Sequence, residues 1–293
     1  MQATLLDSMG TDLSVVNAAR VSFAKESDWV ENCQCGEPGN KDCNLTCDFV
    51  LRDADKRLIQ FLARGMTEKD FDALVEGIRT AGITNVELDT HYTREETREY
   101  IENKLWEFRN QPQHSSPFRH CFASFHIKAP VFVARQLVKH QVGMSWNEIS
   151  RRYVDDEPEF WWPDKWRGRS ENKKQGSAGT VDLHEYECTG EVLPKSVWVM
   201  PLDESLSELS DMYKDQYKAL IKAGVAPEMA RMILPQNMYT EWHWSGSMLA
   251  WAHVCNLRCH PEAQQETREL CKYIDVSCEN LWPVSWKALR EGV

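Results

Sequence analysis

Two stretches of this 293-residue chain concentrate side chains able to bind or polarise a small anionic molecule. The first, Arg135 to Tyr153, carries Gln136, Lys139, His140 and Gln141 near an expected helix end. Asn147, Glu148, Ser150 and Arg152 follow at a spacing suited to an exposed turn. By pattern alone, a solvated helix end with ordinary salt bridges accounts for this stretch equally well. The second begins at Ala230-Arg231-Met232-Ile233-Leu234-Pro235 and runs through Trp242, Trp244 and Trp251 to Asn256-Leu257-Arg258-Cys259. Arginines set among apolar and aromatic residues need a partner for their charge once buried. An anionic phosphate or a carbonyl would serve, and so would a structural Asp or Glu. The residues alone leave that choice open.

The elements that must hold these groups read as an α+β fold, a mixed or antiparallel sheet with a helix-rich second half. Asn17 to Phe23 reads as a short strand and Asp53 to Arg64 as a helix with Leu58, Ile59, Phe61 and Leu62 on one side. Thr67 with Asp70, and Thr93 with Glu96, mark two further helix starts. Cys121 to Ala129 alternates as a strand does, and Pro130 stands where a helix would begin. The polar, glycine-punctuated stretch from Trp162 to Pro194 reads as a long surface loop. From Glu204 the pattern is helical to a stop at Gly224, with two more helices expected over Thr240 to Cys259 and Pro261 to Leu281. One domain covering 1–293 is expected, with a Cys-rich insert near 31–48 and the loop near 162–194.

Composition narrows the function. An apolar share of 42% with 27% charged residues suits a globular enzyme with a sizeable core. A net charge of −11 argues against a general nucleic-acid binder, yet a few convergent arginines still suffice for an anionic ligand. No apolar run is long enough for a membrane span, and Met1-Gln2-Ala3-Thr4 does not open a secretory signal, so the cytoplasm is the expected compartment. There, ten cysteines read as thiols or metal ligands rather than disulfides. Cys33, Cys35, Cys43 and Cys47 could hold a tetrahedral structural zinc, with a reduced Cys-rich loop as the plain alternative.

In order, the chain reads Ala18-Ala19-Arg20-Val21-Ser22, His114-Ser115-Ser116-Pro117-Phe118-Arg119-His120, Lys128-Ala129-Pro130, Arg135-Gln136, Lys139-His140-Gln141 and Asn147-Glu148-Ile149-Ser150-Arg151-Arg152-Tyr153. Ala230 to Pro235, Asn256-Leu257-Arg258 and Ala263-Gln264-Gln265-Glu266 follow. This series resembles the flavin-dependent thymidylate synthase family over most of the chain. The resemblance implies that Arg231 holds a nucleotide phosphate and that Arg258 contacts and polarises the pyrimidine ring. Gln136, Glu148, Ser150 and Arg152 then complete the nucleotide pocket. His114 is similar to a family histidine close to flavin and folate, which makes it catalytic beside Arg258. Lys139, His140, Gln141, Ser116 and Asn256 fall at cofactor positions. The implied cofactors are FAD, methylenetetrahydrofolate and NADPH as reductant. The implied partners are a deoxypyrimidine monophosphate, most simply dUMP, and further copies of the chain in a homotetramer, since relatives build each flavin site from several subunits.

The chain also departs from the family pattern. Lys139-His140-Gln141 stands for Arg-His-Arg, and eight residues rather than seven precede Ser150. An ammonium or an amide does not replace a guanidinium fork in charge or geometry. His253 stands where relatives often carry Asn, and Arg119 where they often carry Glu. The departures keep two rivals to dUMP methylation in view: methylation or hydroxymethylation of dCMP, and a catalytically silent nucleotide-binding homologue.

Overall fold

The computed structural model describes residues 1–33, 47–65, 114–169, 177–193 and 196–290, with isolated helical positions between 72 and 99. The helices expected to open at Thr67 and Thr93 lie almost wholly outside the described residues. Contacts group the chain into two compact units where the sequence reading has one domain. The first unit comprises Met1–Asp7, Ser124–Gly246 and His253–Val276, and the second Ser8–Ala123, Ser247–Ala252 and Ser277–Val293.

Four strands form the frame of the first unit: β1 (Gln2–Met9), β4 (Phe122–Pro130), β5 (Met144–Glu148) and β10 (Tyr239–Ser247). They make one sheet in the order β1-β4-β10-β5. β4 buries Phe125, Ile127 and Ala129 at every second residue, the period of a half-buried strand. β10 does the same with Thr240, Trp242 and Trp244, while His243 between them is exposed. It pairs antiparallel with β5, so Trp244 faces Trp146 and Trp242 faces Glu148. Trp146 stacks on Trp242 at 4.4 Å between ring centroids and meets Trp244 edge-on at 5.3 Å. Such aromatic cross-strand contacts pin the register that aims Glu148.

Three helices of this unit follow the sequence closely, and a fourth, short one is unexpected. α3 (Val131–Leu137) starts after Pro130, and the carbonyls of Met238 and Gln236 accept its first two N–H groups. α4 (Leu202–Lys222) is followed by Gly224, whose φ of +84° no L side chain adopts readily. α5 (Pro227–Ala230) is a single turn. α7 (Gln265–Leu281) buries Glu266, Thr267, Leu270, Cys271 and Ile274, a helical stripe beginning with two polar residues. Two expectations fail here. Thr240 to Ser247 is strand rather than helix; α6 (Met248–Arg258) begins only beyond it. Aromatic and β-branched residues at period two outweigh the helical reading there. The stretch expected as a long loop carries an antiparallel ribbon of β6 (Trp166–Arg169) and β7 (Ser177–Val181), then β8 (Glu187–Leu193), which pairs with β9 (Ser196–Pro201).

In the second unit α1 (Asp12–Arg20), α2 (Asp53–Arg64) and α8 (Pro283–Arg290) are the main helices. The short strand expected over Asn17 to Phe23 is instead the end of α1 and a 3-10 turn, Val21–Phe23. Ser14 Oγ accepts from the Thr11 N–H at 3.0 Å, securing a helix start upstream of the apparent strand. Buried Asp12 caps α8, accepting from the N–H groups of Val284 at 3.0 Å and Ser285 at 2.8 Å. Trp282 Nε1 donates to the Gly10 carbonyl at 2.9 Å. The Cys-rich insert is flanked by the antiparallel pair β2 (Val30–Cys33) and β3 (Cys47–Val50), which sets Cys33 opposite Cys47. Cys35 and Cys43 lie outside the described residues.

Candidate functional site

In the first unit the two polar stretches meet. Arg258, in the last turn of α6, donates from Nε to His140 Nε2 at 2.9 Å and from Nη2 to the Gln136 carbonyl at 3.5 Å. Nε2 can accept only if the imidazole is neutral, with its proton on Nδ1. Burial, and then the charges of Arg258 and His253, push the His140 pKa below its ordinary 6.5 and favour that neutral form. No carboxylate pairs with Arg258 among the described residues. Other arginines show the alternative: Arg20 is paired with Asp55 and Arg167 with Glu266. A half-buried guanidinium held by neutral groups keeps its charge for an outside partner, an anion or a carbonyl that gains charge.

A chain of hydrogen bonds fixes the neighbouring amide. Gln136 Nε2 donates to Gln264 Oε1, and Gln136 Oε1 accepts from Thr267 Oγ1 at 3.0 Å. Gln264 Nε2 donates to Glu266 Oε2 at 3.0 Å. Glu266, buried in the first turn of α7, receives Arg167 Nη2 at both oxygens, 2.6 and 2.8 Å. The Arg135-Gln136 and Ala263-to-Glu266 elements, distant in sequence, are thus one construction. Arg167 and Thr267 are not legible as site residues in the sequence; Arg167 sits in the stretch read as loop, and no motif contains it.

The remaining nucleotide-pocket residues occupy the edge strand and nearby turns. Glu148 accepts from buried Thr240 Oγ1 at 2.7 Å and from Trp146 Nε1 at 3.2 Å, which orients an otherwise exposed carboxylate. Ser150 Oγ accepts from Arg152 Nε at 3.1 Å and makes no contact with a histidine or carboxylate among the described residues, an arrangement for binding rather than nucleophilic attack. Arg152 also lies over the Tyr153 ring at 4.9 Å. Arg231 is exposed rather than buried among its apolar neighbours. Its Nε donates to the Glu228 carbonyl at 3.2 Å, and its terminal nitrogens have no partner among the described residues. Lys139 and Gln141 are exposed, and Asn256 is half-buried on α6.

The second unit holds the other expected cofactor residues. Ala18, Ala19, Arg20 and Ser22 share a cavity of about 710 Å³ with His114, Ser116 and Pro117. Two motifs far apart in sequence therefore face one space. Leu58, Phe61 and Leu62 of α2 line it too, whereas Ile59 turns into the core, so the helix side read as uniform serves two purposes. His114 stacks on Phe61 at 5.7 Å with the rings 21° apart. Asp55 Oδ1 accepts from Arg20 Nε at 3.1 Å and Nη2 at 2.5 Å, and from Ser27 Oγ at 3.0 Å, fixing Arg20 at the rim. Five tryptophans, 242, 244, 251, 282 and 286, are core residues, so tryptophan content does not by itself mark a subunit interface.

The fold is an α+β one of known lineage. Residues 4–284 match the Thy1 family model, described as thymidylate synthase complementing protein, and the chain belongs to that family. It is 36% identical over 190 residues to a flavin-dependent thymidylate synthase of Thermus thermophilus, covering 64% of this chain and 63% of that protein. A second such synthase, from Kosmotoga olearia, is 32% identical over 187 residues, covering 64% and 75%. The chain therefore spans a little under two thirds of the Thermus relative. Among solved structures, the UMP/dUMP methylase PolB of Streptomyces cacaoi bound with 5-Br dUMP shares the fold. The TM-score is 0.61 at 23% identity, over 98% of this chain and 93% of that one. Among the described residues no helix is long and apolar enough to cross a membrane.

Proposed function

We propose that the protein transfers a one-carbon unit to carbon-5 of a deoxypyrimidine monophosphate, converting dUMP to dTMP with methylenetetrahydrofolate as donor. The observation that carries this reading is Arg258, a guanidinium held by neutral His140 and a backbone carbonyl with its charge uncompensated. Carbon-5 of uracil is a weak nucleophile, and a fixed positive charge at the ring carbonyls stabilises the enolate-like negative charge on oxygen that makes it a better one. Arg231 offers the phosphate two terminal nitrogens that have no partner among the described residues, a geometry that suits paired anionic oxygens. Gln136, Glu148, Ser150 and Arg152 orient the base and sugar. Family membership and the names carried by its relatives support the same chemistry.

The cavity of the second unit fits a flavin or folate ring system, with Phe61 and His114 available for stacking and Ser22, Ser116 and Lys25 as polar contacts at its wall. FAD bound there would supply redox chemistry, replenished by NADPH. Lys139, His140, Gln141 and Asn256 of the first unit are the remaining cofactor contacts, and the protein is read as a homotetramer. The cytoplasm is its proposed location. Cys33, Cys35, Cys43 and Cys47 lie outside the chemistry, as a reduced thiol loop or a structural zinc site.

The deciding experiment is the mass of each nucleotide after incubation with methylenetetrahydrofolate, FAD and a reductant. A mass gain on dUMP of about 14 Da, the size of a methylene, is expected. Gain on dCMP with dUMP untouched would move the reaction to cytosine. Nucleotide binding without any gain would make the protein a silent homologue.

A further inference from the structure

We infer that the Glu266 carboxylate, held in place by Arg167, is a positioning group that fixes the donor direction of the Gln264–Gln136 amide chain and so sets the base preference of the nucleotide site. The inference rests on the proposed contact between Gln136 and the nucleotide. A carboxylate only accepts hydrogen bonds, and both oxygens of Glu266 are claimed by Arg167 Nη2 at 2.6 and 2.8 Å. Gln264 must therefore turn its amino group toward Glu266, at 3.0 Å, which leaves its carbonyl facing Gln136. Gln136 must then present its amino group to that carbonyl. Its own carbonyl faces Thr267, whose hydroxyl has to donate, at 3.0 Å. Each amide is oriented by the one before it, and the sequence of orientations starts at a charge.

Arg167 is itself held. Its Nε donates to Ser177 Oγ at 2.8 Å across the β6–β7 ribbon, and the register shift between Arg167 and Gly168 re-aims the strand there. The ribbon lies outside every family motif, yet it supplies the ion pair on which the chain depends. Without the anion the chain has a second self-consistent state. If residue 266 could donate, Gln264 and Gln136 would both turn over, and Thr267 Oγ1 would accept in place of donating. Nε2 and Oε1 of Gln136 would exchange positions. Wherever the base meets that amide, a donor would become an acceptor. Uracil and cytosine differ in this respect at carbon-4 and nitrogen-3, so reversal must show as altered selectivity.

The test is calorimetric binding of dUMP and of dCMP to the full-length, FAD-reconstituted protein, comparing wild type with Glu266→Gln, Arg167→Met and Arg167→Lys. Glu266→Gln is nearly isosteric and introduces a donor without a buried charge, so it keeps the test alive if Arg167→Met fails to fold. We expect Glu266→Gln to lower the dUMP-to-dCMP affinity ratio by about tenfold or more, and Arg167→Met and Arg167→Lys, which leave the carboxylate acceptor in place, to keep the ratio close to wild type. Loss of affinity for both nucleotides in parallel in Glu266→Gln, with the ratio unchanged, would reduce Glu266 to a structural residue and overturn the inference alone. Wild type that binds neither nucleotide would overturn the functional reading and the inference with it.

Discussion

Removing the acceptor at His140 should weaken nucleotide binding by about tenfold and erase part of its pH dependence. Arg258 is oriented by one good hydrogen bond, to His140 Nε2 at 2.9 Å, and by one at the limit of geometry, to the Gln136 carbonyl at 3.5 Å. His140→Phe leaves only the second. A hydrogen bond involving a charged group contributes about 1.5–3 kcal/mol, and partial exposure of the pair places this one at the low end. About 1.4 kcal/mol is tenfold in affinity. Protonation does the same to wild type, because an imidazolium cannot accept and sets a second positive charge beside the first. The sign follows from linkage. Because burial and its charged neighbours hold the His140 pKa in the folded protein below 6.5, the imidazole is neutral above pH 6.5, and its contribution to binding is lost only as pH falls through that lowered value. His140→Gln provides the control, since its amide carbonyl accepts without titrating. Calorimetric titrations with dUMP at pH 7.5, 6.5 and 5.5 read both effects. The phosphate titrates near pH 6 but does so equally for every variant, so the differences isolate His140. If wild type and His140→Gln showed the same pH profile, the neutral-histidine account of Arg258 would be refuted.

Arg231→Ala should weaken nucleotide binding by about 1.5–3 kcal/mol while leaving the bound-state rate close to wild type, whereas Arg258→Ala should also slow the chemical step. Single-turnover kinetics at saturating nucleotide separate them, and an unchanged Arg258→Ala rate would remove its assigned role. Asp12→Ala should cost about 2 kcal/mol, since two backbone N–H groups at the start of α8 lose their acceptor, and urea unfolding measures it. Gly10→Ala should destabilise as well. Its φ is +84° and an added Cβ would lie 2.6 Å from Cys121 Sγ. Elemental analysis of protein prepared under reducing conditions should return about one zinc per chain if the four cysteines ligate. A value near zero leaves a thiol loop.

The sequence is informative where a local pattern and a tertiary role coincide. The helix at Asp53–Arg64 and the junction at Pro130 are of this kind, because periodicity and proline chemistry act within a few residues. The ordered motifs also single out Gln136 and Arg258, which do meet. β10 escapes the sequence reading because Trp242 and Trp244 satisfy a strand period and an apolar helix equally over so short a run. The start of the chain misleads because the capping contact between Thr11 and Ser14 lies upstream of the residues that look extended. Partnership is the least legible property. Nothing in Arg20, Arg167 and Arg258 as residue types says that the first two are neutralised by carboxylates and the third is not. That distinction is made by residues 35 and 99 positions away for the first two, and by a histidine 118 positions away for the third.

The cap on α8 has a consequence for synthesis. Asp12 and the two N–H groups that it satisfies are separated by 272 and 273 positions, so the contact forms only after nearly all of the chain has left the ribosome. Until then a carboxylate destined for burial has no backbone to receive it, and Trp282 has not reached the Gly10 carbonyl. Vectorial elongation at about 5–20 residues per second leaves that gap open for tens of seconds. During this interval the amino-terminal helices expose the surfaces that α8 will cover. Any truncation that removes α8 would prolong that exposed state indefinitely.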